Sequence, residues 1–242
     1  MPNGTRKPKR ALRRQQVAEW ESGSAERQTL TALVHFPAGY EASKDHYPLL
    51  LFLHGAGERG PGGEDVWRIA KHGPPALAEA GVELPFIVLS PQCPKGRRWD
   101  TALLLEFLRE AMEELRVDPR RVYVTGISMG GYASWDLIIK APEMFAAAAP
   151  ICGGGSTIDL YLQDERRKVA AWRKMPIWAF HGAQDDIVPC AESERMVKVF
   201  RERLGNKGVQ FTVYEDLAHH CWTRAYSEAG LFEWFAKQRR RS

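Results

Sequence analysis

A chain of 242 residues with 44% hydrophobic and 26% charged residues has the composition of a globular protein with room for one large core, which excludes a fibrous or wholly disordered chain. No run approaches the roughly 20 apolar residues of a bilayer-spanning helix, and the basic stretch 1–16 has no apolar segment behind it, so neither a membrane span nor a signal peptide is expected. The net charge of +4 is concentrated at the ends: residues 1–18 and 236–242 hold ten Lys and Arg and no acid, leaving −6 for the remainder and arguing against a basic nucleic-acid-binding face on the folded part.

These tails read as solvated ends, so the expected division is a basic tail over 1–18, a single α/β domain over 19–237 and a second basic tail over 238–242. The four cysteines, Cys93, Cys152, Cys190 and Cys221, form no C-x-x-C pair; a cytoplasmic protein with reduced thiols is the default reading.

In chain order, residues 27–36 (RQTLTALVHF) alternate near period two and predict an early edge or antiparallel strand. Short, continuous apolar runs follow at 49–53, 86–90, 122–125, 145–151 and 177–180, the character of strands covered on both faces. Helical spacing occupies 101–116, 130–140, 191–204 and 225–237, and 209–214 supplies a last strand. Strand and helix thus alternate, which predicts a doubly wound, mainly parallel sheet with right-handed crossovers. The polar stretch 156–174 is expected to be partly helical, at a point where an insertion could cover a site.

The strongest local signal is G-x-S-x-G at 126–130, between the strand VYVT and a helix. Such a turn lifts a serine hydroxyl to the carboxyl edge of the sheet, and its glycines remove side chains that would collide there. Ser128 is therefore the candidate nucleophile; the competing reading is a helix-capping serine in a Gly-rich turn. A hydroxyl needs a base, and the base an orienting carboxylate. His181 closes a strand, where a structural role is usual, whereas His219 and His220 follow the last strand on a loop able to return to the serine. Asp185 is the first choice of acid and Asp186 the alternative, although both could be turn formers. The Gly-rich loop 54–60 can bring main-chain N–H groups to a developing oxyanion, one from Ala56 or Gly57, with Met129 supplying the other. The loop lacks the nucleotide-binding fingerprints, and there is no H-E-x-x-H or helical His pair, so neither nucleotide nor metal is expected. Trp99 and Trp222 flank these loops as candidate substrate-binding residues, or simply pack beneath them. Glu58, Arg59, Arg97 and Arg98 fall near the expected mouth.

The set LFLHGAGERG, SPQCP, RVYVTGISMGGYASW, PICGG, HGAQDDIVP and AHHCWTRAY, collinear between Leu30 and Phe235, resembles the phospholipase/carboxylesterase and polyhydroxybutyrate-depolymerase-like branch of the α/β-hydrolases. The resemblance implies an α/β-hydrolase fold and an esterase that needs no cofactor and takes a small-molecule ester, with Ser128 as nucleophile, Asp185 of D-x-x-V-P as acid and His219 of H-x-x-W as base. A thioesterase or peptidase on the same fold is the nearest alternative, and a non-catalytic binding protein a more distant one.

Overall fold

The computed structural model describes residues 14–21 and 29–240. Eight strands form one sheet: β1 (Gln16–Glu21), β2 (Thr29–His35), β3 (Tyr47–Leu53), β4 (Ile87–Pro91), β5 (Val117–Ile127), β6 (Ala147–Ile151), β7 (Ile177–Gly182) and β8 (Val209–Tyr214). Their spatial order is β1-β2-β4-β3-β5-β6-β7-β8, antiparallel for β1, β2 and β4 and parallel from β4 onward. This is the expected doubly wound α/β sheet.

Continuous apolar strands arise because both faces of the sheet are covered. In β3, Leu49, Leu51 and Leu53 join one core layer with Val122 and Val124 of β5, while Leu50 and Phe52 join the opposite layer with Tyr123. All eight of these side chains have no exposed surface. A strand half-exposed to water would alternate in polarity instead. Among the described residues, eight α-helices cover the faces: α1 (Gly73–Glu79), α2 (Thr101–Glu114), α3 (Met129–Lys140), α4 (Thr157–Leu162), α5 (Arg166–Lys174), α6 (Ala191–Lys198), α7 (Trp222–Ser227) and α8 (Leu231–Ala236). The start of α2 is fixed by Asp100, whose carboxylate accepts the amides of Ala102 and Leu103. None of the described helices is long and apolar enough to cross a membrane.

From β3 the chain moves to one side to form β4 and then returns across β3 to form β5. The loops after β3 and β5 therefore open a crevice at the carboxyl edge, the usual place for a ligand in an open α/β sheet.

Several expected boundaries are corrected. The N-terminal division at residue 19 falls inside β1, which pairs with β2 from Gln16 to Glu21, and the Gln15 side chain is tied to Pro75 and Glu79. At the other end, Gln238, Arg239 and Arg240 bind Tyr123, Asp118 and Arg120, so these tail residues are docked. The remaining tail residues, 1–13 and 241–242, lie outside the described residues, as do 27–28 of the first expected strand. The helix expected over 225–237 is two helices, broken where Gly230 takes a left-handed conformation (φ 66°). The helix expected over 191–204 passes at Val199 into a π-helical turn. Within 156–174, Leu160 and Trp172 pack in the layer of Trp135 and Phe200, and the Trp172 indole donates to the Ile138 carbonyl of α3.

Candidate active site

Ser128 sits between β5 and α3 with φ 53°, in the left-handed region that non-glycine residues rarely occupy. Its amide donates to the Ile151 carbonyl at 3.0 Å, and α3 begins at the next residue. The turn is possible because Gly130 has no side chain: a Cβ there would collide with the Leu53 carbonyl of β3. Strain held by surrounding structure in this way marks a candidate functional residue.

The loops after β7 and β8 bring two further side chains to this point. His219 Nε2 lies 3.0 Å from Ser128 Oγ, and its Nδ1 lies 2.7 Å from Asp185 Oδ2. The other Asp185 oxygen accepts the amides of Ile187 (3.0 Å) and Val188 (2.8 Å). Burial on its own would raise the Asp185 carboxyl; the His219 hydrogen bond and these amides outweigh it and hold the group below its ordinary value. Asp186 is exposed, and so is His220, whose ring packs at a tilt against Trp222 at 4.6 Å. Of each adjacent pair, the structure brings Asp185 and His219 to the serine. The geometry allows an imidazole of fixed tautomer to take the Ser128 proton.

Around this chain stand residues the sequence reading weighed less. His181 Nε2 hydrogen-bonds the Val188 carbonyl at 2.9 Å and lies 3.1 Å from Asp185 Oδ2, and its Nδ1 meets Ser193 Oγ at 2.8 Å, so a second buried imidazole in β7 fixes the loop that carries the acid. Cys152 also has a positive φ (42°), and its Sγ accepts the Ser128 amide at 3.3 Å. Burial, then the neighbouring Cys221, pushes its thiol well up. Both residues carry a signal in retrospect: each closes an apolar strand at the same sheet edge as the elbow. Donor atoms of Cys152, Asp185 and His219 lie within 4.8 Å of one another, a grouping that could hold a cation. An ion bridging Asp185 and His219 Nδ1 would need to part them, since tetrahedral zinc ligands stand about 3.3 Å from each other.

The loop after β3 forms the other wall. Ala56–Glu58 is a single 3-10 turn; Gly57 faces open space, while a point above Gly55 lies 3.7 Å from Ser128 Cβ. Trp99 donates its indole N–H to the His54 carbonyl at 3.1 Å, supporting this loop from behind, and Trp222 stands edge-on to His219 at 5.5 Å. Arg59 donates to the carbonyls of Ala56 and Arg97.

His54 anchors the loop and must stay neutral to do so. Its Nε2 accepts the Cys93 amide at 2.9 Å, which leaves the proton on Nδ1, facing the Gly55 carbonyl. Burial pushes its pKa down to about 4. In the unfolded chain the imidazole takes a proton near pH 6.5; in the fold it does not until about pH 4. This contribution to stability is therefore fully present above pH 6.5 and is lost as pH falls toward 4, by about 3 kcal/mol. Urea unfolding at pH 7 and pH 4 is expected to show a stability difference smaller by about that amount in His54→Asn than in the parent. An unchanged difference would contradict the assigned neutral state.

Comparison with known proteins agrees with this architecture. The phospholipase/carboxylesterase family model matches residues 99–232. Feruloyl esterase B of Piromyces equi is 29% identical over 167 residues, covering 64% of this chain and 29% of that protein. The bifunctional acetylxylan esterase/xylanase XynS20E of Neocallimastix patriciarum is 27% identical over 163 residues, 64% of this chain and 22% of its own. The chain thus spans under a third of the length of these two curated relatives. Among solved structures, a thermostable esterase superposes with a TM-score of 0.73 at 29% identity, over 93% of this chain and 63% of that one. With more than half of its length matched by the family model, the chain belongs to the phospholipase/carboxylesterase family of α/β-hydrolase-fold proteins.

Proposed function

We propose that the protein hydrolyses small carboxylic esters through an acyl-enzyme on Ser128. The observation that carries this reading is the unbroken chain from Ser128 Oγ through His219 to Asp185, ending on a serine held in a left-handed turn. His219 takes the hydroxyl proton as Ser128 attacks the ester carbonyl, while ionised Asp185 keeps the Nδ1 proton in place and supports the imidazolium. The amides of Ala56 and Met129, with Gly57 as the alternative to Ala56, receive the oxyanion. His219 then hands its proton to the departing alcohol and activates the water that releases the acid. Every group in this sequence belongs to the chain, so no cofactor is required. Trp222, edge-on to the base, bounds the substrate side, and Trp99 holds the oxyanion loop.

The test is turnover of an acetyl- and aryl-ester panel, together with labelling by a fluorophosphonate, which reacts only with an activated serine. Absence of both from folded protein would overturn the reading; cleavage of amides or thioesters in preference to oxygen esters would move it to a peptidase or a thioesterase. The acid is tested separately. Asp185→Asn is expected to lower turnover by about 10^4-fold, since an amide cannot hold the same tautomer, whereas Asp186→Asn should stay within about threefold of the parent. A reversed ranking would transfer the role to Asp186.

A further inference from the structure

Glu58 stands beside the proposed nucleophile without an adequate partner. Its side chain is nine-tenths buried, 9% exposed, at the end of the 3-10 turn that follows β3. A side chain added at Gly55 would have its Cβ 3.3 Å from Glu58 Oε2 and 3.7 Å from Ser128 Cβ, so the carboxylate and the serine flank the same glycine. The other carboxylate oxygen, Oε1, has His72 Nε2 at 3.8 Å, beyond hydrogen-bond length. Burial lowers the pKa of His72 more than Glu58 raises it, which favours a neutral imidazole. His72 is packed edge-on against Trp222 at 5.3 Å, on the ring that also borders His219. Neither Glu58 oxygen is sealed from solvent in the way the unpartnered Ser90 hydroxyl is, so the carboxylate stays open to a donor from outside the protein, water or a substrate hydroxyl.

We propose that Glu58 is a substrate-reading residue that accepts hydrogen bonds from a hydroxyl close to the scissile ester, so that the site takes esters of polyols in preference to esters of plain alkanols. The inference rests on the esterase reading of Ser128 and deepens it. A neutral hydroxyl is favoured over an ammonium because Arg59, next in sequence, is held over the same loop by the carbonyls of Ala56 and Arg97 and repels a cation there. The neutral His72 ring turns an edge to the same space and can donate or accept as the substrate requires. An alkyl ester leaves the carboxylate unserved, and such a mismatch is how a hydrogen-bonding site rejects an analogue that lacks the hydroxyl.

The experiment separates binding from turnover. In the Ser128→Ala protein, NMR titration with glycerol 1-monobutyrate and with propyl butyrate, which differ by two hydroxyls, is expected to give at least about tenfold tighter binding of the glycerol ester, the usual size of a hydrogen bond to a charged group. Adding Glu58→Ala should reduce that ratio to about one, while Glu58→Gln, of the same shape and still an acceptor, should retain part of it and guards against a folding failure. In the protein with Ser128 intact, the same ratio should appear in KM rather than in kcat. A preference that survives Glu58→Ala, or equal binding of the two esters when Glu58 is present, would overturn the proposal. Tighter binding of 2-(dimethylamino)ethyl butyrate than of the glycerol ester would overturn the choice of a neutral hydroxyl. Because the titration uses protein without Ser128, discrimination without turnover in the parent would count against the esterase reading alone, and turnover without discrimination against the role of Glu58 alone.

Discussion

Replacing Ser128 with alanine is expected to lower ester turnover by about 10^4-fold to 10^6-fold while leaving the protein folded. The size follows from the loss of the attacking oxygen, which the neighbouring Cys152 does not replace because burial pushes its thiol well up and away from the nucleophilic thiolate. Without the hydroxyl, His219 can still activate water, but the acyl-enzyme that divides one difficult step into two is gone. Folding should be little affected, because Ser128 Oγ bonds only to His219 among the described groups, and the strained backbone is held by main-chain contacts to Ile151 and Leu53 that alanine keeps. Alanine tolerates a φ of 53° about as poorly as serine does, so the substitution adds no new strain. The measurement is initial rate on a soluble acetyl ester, with a thermal melt as the control for folding. Turnover within tenfold of the parent would remove Ser128 from the mechanism.

The sheet was legible in the sequence because burial on both faces writes itself into a strand as an unbroken apolar run, as in Leu49–Leu53, where neighbouring residues feed opposite core layers. The first strand carried no such mark. Residues 16–21 (QVAEWE) form an edge strand, paired on one side only and mostly solvated, and their polarity and basic surroundings left the strand unrecognised and its first three residues in a tail. The break at Gly230 was missed for the opposite reason, since apolar spacing continues across it and periodicity does not register one residue of positive φ. At the site, the residues that reach Ser128 could be narrowed to adjacent pairs from chain order alone. Within a pair the choice of Asp185 and His219 came from the resemblance, through D-x-x-V-P and H-x-x-W, because Asp185/Asp186 and His219/His220 are chemically alike and differ only in direction. Glu58 and His72 were harder still: their meeting depends on the 3-10 turn after β3 and on Trp222 arriving from the far end of the chain, a contact no local pattern encodes.

Direction is what the last pair turns on. His219→Ala is expected to lower turnover by about 10^4-fold or more, and His220→Ala to leave it within about threefold. Both rings lie on the loop between β8 and α7, 6.2 Å apart, yet they meet different surroundings. The His219 ring is buried, with one nitrogen on Ser128 and the other on Asp185, so its removal takes away the proton acceptor and leaves the Asp185 carboxylate short of its strongest partner. His220 is exposed, its ring tilted against that of Trp222 at 4.6 Å, and its loss removes this ring contact without touching Ser128 or Asp185. Fluorophosphonate labelling sharpens the distinction, because it reports serine activation without needing a substrate that fits. His219→Ala should label several orders of magnitude more slowly than the parent, and His220→Ala at the parent rate. If His219→Ala, shown to be folded by its melt, labelled normally while His220→Ala did not, the loop would have to turn in solution so that His220 faces the serine, and the base would move by one residue.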